Sequence, residues 1–112
     1  MAKTKQILLT TTVKTTGAWQ PNRLVSFAGK QAENGEAVLG TSVYEADVGD
    51  QAAVDVIGIA LVEAGAAIAA GVPIAAGLQG LAIAQTGTAK IVGTAIDAAT
   101  AAGEVIRIKL NG

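Results

Sequence analysis

Residues 91–110 read IVGTAIDAATAAGEVIRIKL, and the reading of this stretch decides the fold. It occurs twice. The earlier copy, residues 38–56, reads VLGTSVYEADVGDQAAVDV. Val38-Leu39-Gly40-Thr41-Ser42-Val43 answers to Ile91-Val92-Gly93-Thr94-Ala95-Ile96. After a linker one residue longer in the second copy, Gly49-Asp50 answers to Gly103-Glu104. Each glycine–acid pair opens an alternating run. Ile106, Ile108 and Leu110 share one parity and Arg107 and Lys109 the other, while Val54 and Val56 alternate with Asp55. A period of two with this split marks a half-buried strand. Each copy reads as strand, glycine-containing bend, polar turn, strand.

The correspondence extends upstream. Residues 18–25 lie on residues 67–74, so that Asn22 meets Gly71. Asn and Gly are the residue types that most readily take a positive φ in a turn. The chain divides into related halves, about 16–56 and 65–110, joined by 57–64. A twofold duplication in so short a chain predicts one pseudo-symmetric domain and not a solenoid. Residues 1–15 form an N-terminal strand or arm, basic at its start and alternating from Gln6 to Thr15; residues 16–112 form a single β domain. Further strands are expected at Arg23–Phe27, Ala37–Tyr44, Ala52–Leu61, Val72–Ala75, Leu81–Ala84, Lys90–Ile96 and Val105–Leu110. Val54 and Val56 are even-numbered whereas Ile57, Ile59 and Leu61 are odd, so a β-bulge near Val56–Gly58 is predicted. Ala66–Ala70 has glycine on both sides and Pro73 close behind, too little length for a stable helix. Short, regularly spaced, glycine-punctuated strands predict an all-β fold: a small single-domain barrel or sandwich with an internal pseudo-repeat and little or no helix.

Composition narrows the function. The 112 residues include no Cys and no His. Disulfides, thiolate metal sites, Ser–His–Asp and Cys–His arrangements are thereby excluded. A formal net charge of −1 and three aromatic residues leave no basic, base-stacking surface for nucleic acid. Glu45-Ala46-Asp47 with Asp50 reads as an acidic turn, and residues 65–71 lack the Lys-Ser/Thr of a phosphate loop. Residues 65–84 are uncharged, yet Pro73, Gln79 and four glycines argue against a membrane span. No cofactor, metal or enzymatic activity is expected. Charge is segregated: Lys3, Lys5, Lys14, Arg23 and Lys30 precede any acid, the next seven charged residues are acidic, and residues 64–89 carry none. A neutral Ala/Gly segment of that length predicts a contact surface.

Gly17-Ala18, Asn22–Phe27, Val38-Leu39-Gly40-Thr41, Val62–Gly71 and Ala102–Ile108, in that order and spacing, resemble the capsid cement, or head decoration, proteins of tailed bacteriophages. The resemblance runs from about Gly17 to Leu110; Trp19 and Tyr44 stand where small or aliphatic residues are expected. It implies a non-enzymatic structural virion protein on the outer surface of a phage head, made in the bacterial host cytoplasm. Its implied partner is the major capsid protein, which it would bind as a homotrimer that bridges capsomers and stabilises the capsid. No nucleic acid, membrane or small-molecule substrate is implied. Lys3, Lys5, Ile7, Leu9, Lys14, Trp19 and Arg23 are the expected capsid contacts. Ile68, Val72, Pro73, Ile74, Leu78 and Leu81 are the expected self-association residues. A tail or head-fibre module and a small ligand-binding β domain are the other readings of such a chain.

Overall fold

The computed structural model describes residues 5–110. The strands are β1 (Gln6–Lys14), β2 (Leu24–Ser26), β3 (Val38–Ser42), β4 (Gln51–Glu63), β5 (Pro73–Ala76), β6 (Ala82–Ala84), β7 (Gly93–Ala95) and β8 (Val105–Leu110). They form one all-β sheet in the order β2-β3-β4-β8-β7-β5-β6, with β1 on β4. Among the described residues the one helical element is the 3-10 turn Leu78–Gly80. It reverses the β5–β6 hairpin, with Gln79 at φ 56°. A parallel bridge between Ala64 and Ala82 closes β4-β8-β7-β5-β6 into a ring.

The sequence repeat has a hydrogen-bond counterpart. Trp19 and Ala46 exchange both backbone bonds, and so do Ile68 and Ala99. Asn22 N donates to Ser42 O, as Gly71 N donates to Ala95 O. Both Asn22 and Gly71 have a positive φ, 59° and 86°. Thr15 N donates to Asp50 O, as Ala64 N donates to Glu104 O. The acids cap matching turns: Asp50 Oδ2 accepts from Asp47 N, and Glu104 Oε2 from Ala101 N.

The equivalence of hydrogen bonds begins further upstream than the correspondence of residues. β1 pairs with β4 through Thr10–Asp55, Thr11–Val54 and Val13–Ala52. The second part of β4 pairs with β8 through Ile59–Lys109, Ala60–Ile108 and Val62–Ile106. Thr10–Thr15 is thus to the first half what Ile59–Ala64 is to the second. The segment expected to join the halves is the first strand of the second one. We read the chain as two small barrels that share β4.

At the changeover Leu8 and Val56 are skipped in the β1–β4 pairing and Gly58 has φ 121°. This is the predicted bulge. The inward residues beyond it differ from expectation: Ala60 and Val62 are fully buried, while Ile57, Ile59 and Leu61 are half-buried. Ala60 and Val62 occupy the places that Thr11 and Val13 hold on the equivalent strand.

Of two apolar clusters the smaller lies in the first half, and the larger lies mainly in the second and takes in Leu24 and Ala32 of the first. Trp19, Val25, Ala46, Ala52 and Val54 form the smaller. The larger includes Ile68, Ile74, Ala99, Ile106 and Ile108, which stand at the five equivalent places. On β8 the inward parity is Ile106, Ile108 and Leu110, as the alternation predicts.

Candidate functional site

The described residues assemble no metal centre. No group of three or more His, Cys, Asp or Glu side chains could hold a metal ion among them. Among the described residues no helix is long and apolar enough to cross a membrane. In the acidic turn the Asp50 carboxylate accepts from Asp47 N, and the Asp47 carbonyl accepts from Thr15 Oγ1. On β8, Arg107 grips Asp97 through Nε at 3.0 Å and Nη2 at 2.9 Å. That hydrogen bonding, and secondarily the charge of Asp97, pushes the guanidinium pKa up and keeps it charged.

The strand most available to a partner is β1. Its residues are exposed or half-buried along their whole length. Leu8 and Leu9, at the bulge, are 82% and 49% exposed. Leu8 lines an open, mostly apolar cleft of about 390 Å³ with Gln6, Ile57, Ile59 and Lys109. Ile7 is half-buried and packs against the larger core cluster. The strand is held in register by a polar clamp. The Asp55 side chain, 4% exposed, takes Lys5 Nζ at 2.8 Å and Thr10 Oγ1 at 2.8 Å.

The other expected contact residues divide. Lys14 is exposed; Lys3 lies outside the described residues. Arg23 is turned into the molecule, 3.5 Å from Glu63 and donating to Gln79 O. Trp19 has no exposed surface. Its Nε1 donates to Gly29 O and its ring occupies the smaller core, so it holds the barrel together and has nothing to present to a partner.

Of the expected self-association residues, Ile68 and Ile74 are core, Val72 and Leu81 are half-buried, and Pro73 and Leu78 are exposed. Much of the uncharged segment is uncharged because Ala64, Ile68, Ile74–Ala76, Gly80 and Ala82 are interior. Its exposed part includes Ala66, Ala67, Ala69, Ala70 and Gly71. Sequence reasoning missed the exposed Phe27, at 68%, and Val48, at 66%. Both sit in turns, where alternation gives no signal.

Comparisons with known proteins agree with this picture of a β scaffold made of surfaces. No curated protein sequence matches the chain. Among solved structures, the crystal structure of the head fibre gp8.5 N base in bacteriophage phi29 is similar, with a TM-score of 0.77 and 19% identity. The likeness covers 92% of this chain and 93% of that one, and shows that the two share a fold. The sequence profile of the phage cement proteins matches residues 2–110, so the match takes in β1, upstream of the resemblance that begins at Gly17. The chain belongs to the phage cement protein family.

Proposed function

We propose that this protein decorates the outer surface of a phage head, where it binds the major capsid protein as a homotrimer and stabilises the shell by bridging capsomers. The observation that carries this reading is the family match over residues 2–110. The structure is compatible with it: exposed strand edges and apolar turns, and no metal centre among the described residues. On this reading the protein has no enzymatic activity and takes no nucleic acid, membrane or small-molecule ligand. Ile7 and Leu9 on β1 supply capsid contacts, and Lys14, Val72, Pro73 and Leu78 contribute to contacts between copies. The test is to add purified protein to phage heads that lack decoration. Co-sedimentation, a rise in the temperature at which heads release DNA, and three-lobed density over sites where capsomers meet are expected. Heads that neither bind the protein nor gain stability reject the reading. The likeness to a head-fibre base favours a second reading, a fibre base module. Density confined to the foot of a projecting fibre would establish it.

A further inference from the structure

The two barrels meet along a junction built from the trailing side of the first and the leading side of the second. Glu63 N donates to Asn22 O at 2.7 Å, and Glu63 Oε1 lies 3.5 Å from Arg23 Nε. Gly35 N donates to Ala76 O at 2.8 Å and accepts at its carbonyl from Lys90 N at 3.4 Å. Each of these residues has a counterpart in the other half. The loops that follow β2 and β6 match, because Glu36 N donates to Glu33 O as Ala89 N donates to Thr86 O. Gly35 therefore corresponds to Thr88, and Lys90 to Ala37. Strand pairing makes Glu63 the counterpart of Lys14. The turn bonds make Asn22 that of Gly71 and Arg23 that of Val72. Ala76 corresponds to Phe27, because Ile74 pairs with Gly93 as Val25 pairs with Gly40 and each lies two residues further on.

These counterparts are open. Lys14, Phe27 and Ala37 on the leading side of the first barrel are exposed, and so are Gly71 and Thr88 on the trailing side of the second; Val72 is half-buried. In the strand ladder Lys14 occupies the place of Glu63, whose N–H points away from the strand pair, so the Lys14 N–H points outward too. The chain carries two halves of a junction it makes once within itself.

We propose that a second copy of this chain closes the open pair, setting the trailing side of its second barrel on the leading side of the first barrel. Gly71 O of one copy accepts from Lys14 N of the next, and the loop Thr86–Ala89 covers Phe27 and Ala37. The contact repeats between chains the arrangement already present within each. It is heterologous, so it generates a closed ring or a filament and not a twofold dimer. The Arg23–Glu63 ion pair becomes Val72 against the aliphatic stem of Lys14, which makes the contact insensitive to salt. Phe27 supplies the buried aromatic surface that the inner junction lacks. The interface stands independently of the capsid reading; the number of copies in the ring rests on the trimer proposed above.

Cysteine cross-linking tests it, because the chain has no Cys of its own. Lys14→Cys with Val72→Cys places thiols where the Glu63 and Arg23 side chains meet in the inner junction. Ala37→Cys with Thr88→Cys, both at exposed positions, forms a second pair. Each full-length double variant is oxidised at high concentration in solution and after addition to undecorated heads, with folding checked by circular dichroism. A covalent ladder at least about tenfold stronger than in any single variant is expected for each folded pair. A ladder that ends at three copies supports the ring and the trimer together; one that ends elsewhere keeps the interface and rejects the trimer. Single Lys14→Cys chains that cross-link to dimers as well as the double variant does indicate two β1 edges paired with each other and overturn the proposal. Folded pairs that stay monomeric both in solution and on heads also overturn it, while binding to heads in that case leaves the capsid reading intact.

Discussion

The first barrel and the second carry the same backbone frame and fill it differently. Trp19, Val25, Ala46, Ala52 and Val54 occupy one; Ile68, Ile74, Ala99, Ile106 and Ile108 occupy the other at the same five places. The buried polar side chains, Thr15, Ser26, Thr41, Ser42 and Asp55, all belong to the first. Three of the equivalents are Ala64, Ala75 and Ala95, which are buried too. One large indole with small neighbours and a set of hydroxyls does the work that branched aliphatics do in the second half. The hydroxyls are paired within the frame. Ser42 Oγ donates to Gln20 O at 2.6 Å and accepts from Arg23 N at 3.0 Å. What a duplication retains here is the pattern of backbone contacts, while the side chains that fill matching places differ in size.

Removing the central side chain of each cluster sharpens that contrast most. Trp19→Ala is expected to cost ~3–5 kcal/mol and Ile68→Ala about 2–4 kcal/mol, because the smaller cluster has less with which to collapse into the void. Urea unfolding followed by circular dichroism measures both, and equal losses would show that the clusters are not separate in energy.

Gly40 and Gly93 test the frame itself. Neither has a positive φ; a Cβ at Gly40 would overlap the carbonyl of Asp55, and one at Gly93 that of Lys109. The glycines are needed for close approach of paired strands. Gly40→Val and Gly93→Val should each lose ~1–3 kcal/mol. If only one variant melts early, the halves are not equivalent at this crossing.

Lys5→Met probes a feature of the first half alone. In the second half Lys109 stands in place of Asp55 and Ile59 in place of Thr10. The change leaves a buried carboxylate with one hydroxyl donor and should cost ~1–2 kcal/mol. Faster amide exchange confined to β1 would locate the loss. An unchanged β1 would mean that the clamp contributes nothing to its seating.

The smallest effect is the most discriminating. Ala95→Ser puts the Ser42 hydroxyl into the second frame, where Ala69 O and Val72 N offer the equivalent partners. The expected change is within ~0.5 kcal/mol, against ~1 kcal/mol lost in Ser42→Ala. A large loss in Ala95→Ser would show that the frames diverge at the scale of a single hydrogen bond.

Alternation, glycine–acid pairs and the Asn22–Gly71 match were legible because turns and strand parity leave a local trace. The equivalence of Thr10–Thr15 with Ile59–Ala64 was not. TTTVKT and IALVEA share one residue type in register, Val13 with Val62, since an edge strand and a central strand are chosen against different neighbours. Trp19 read as a surface aromatic because nothing near it in sequence reveals the small residues, Ala46 and Ala52, that make room for it. The Lys5–Asp55 clamp depends on a register between distant strands, which no local pattern encodes. The uncharged segment was read as contact surface, but neutrality is common to interiors and interfaces, and here the interior accounts for much of it. The left-handed Gln79 carries no glycine to announce its turn.

Strand β4 is shared by the two barrels, and its middle residue has a further consequence. Ile59 pairs with Gln6 on one side and with Lys109 on the other. The first and last strands therefore leave the fold about 10 Å apart, two interstrand spacings. The architecture is suited to circular permutation: a short linker could join Leu110 to Lys5, with new ends opened in an exposed turn outside the proposed contact between copies. For display, a peptide grafted ahead of Gln6 and another grafted after Leu110 would emerge at one address on the particle.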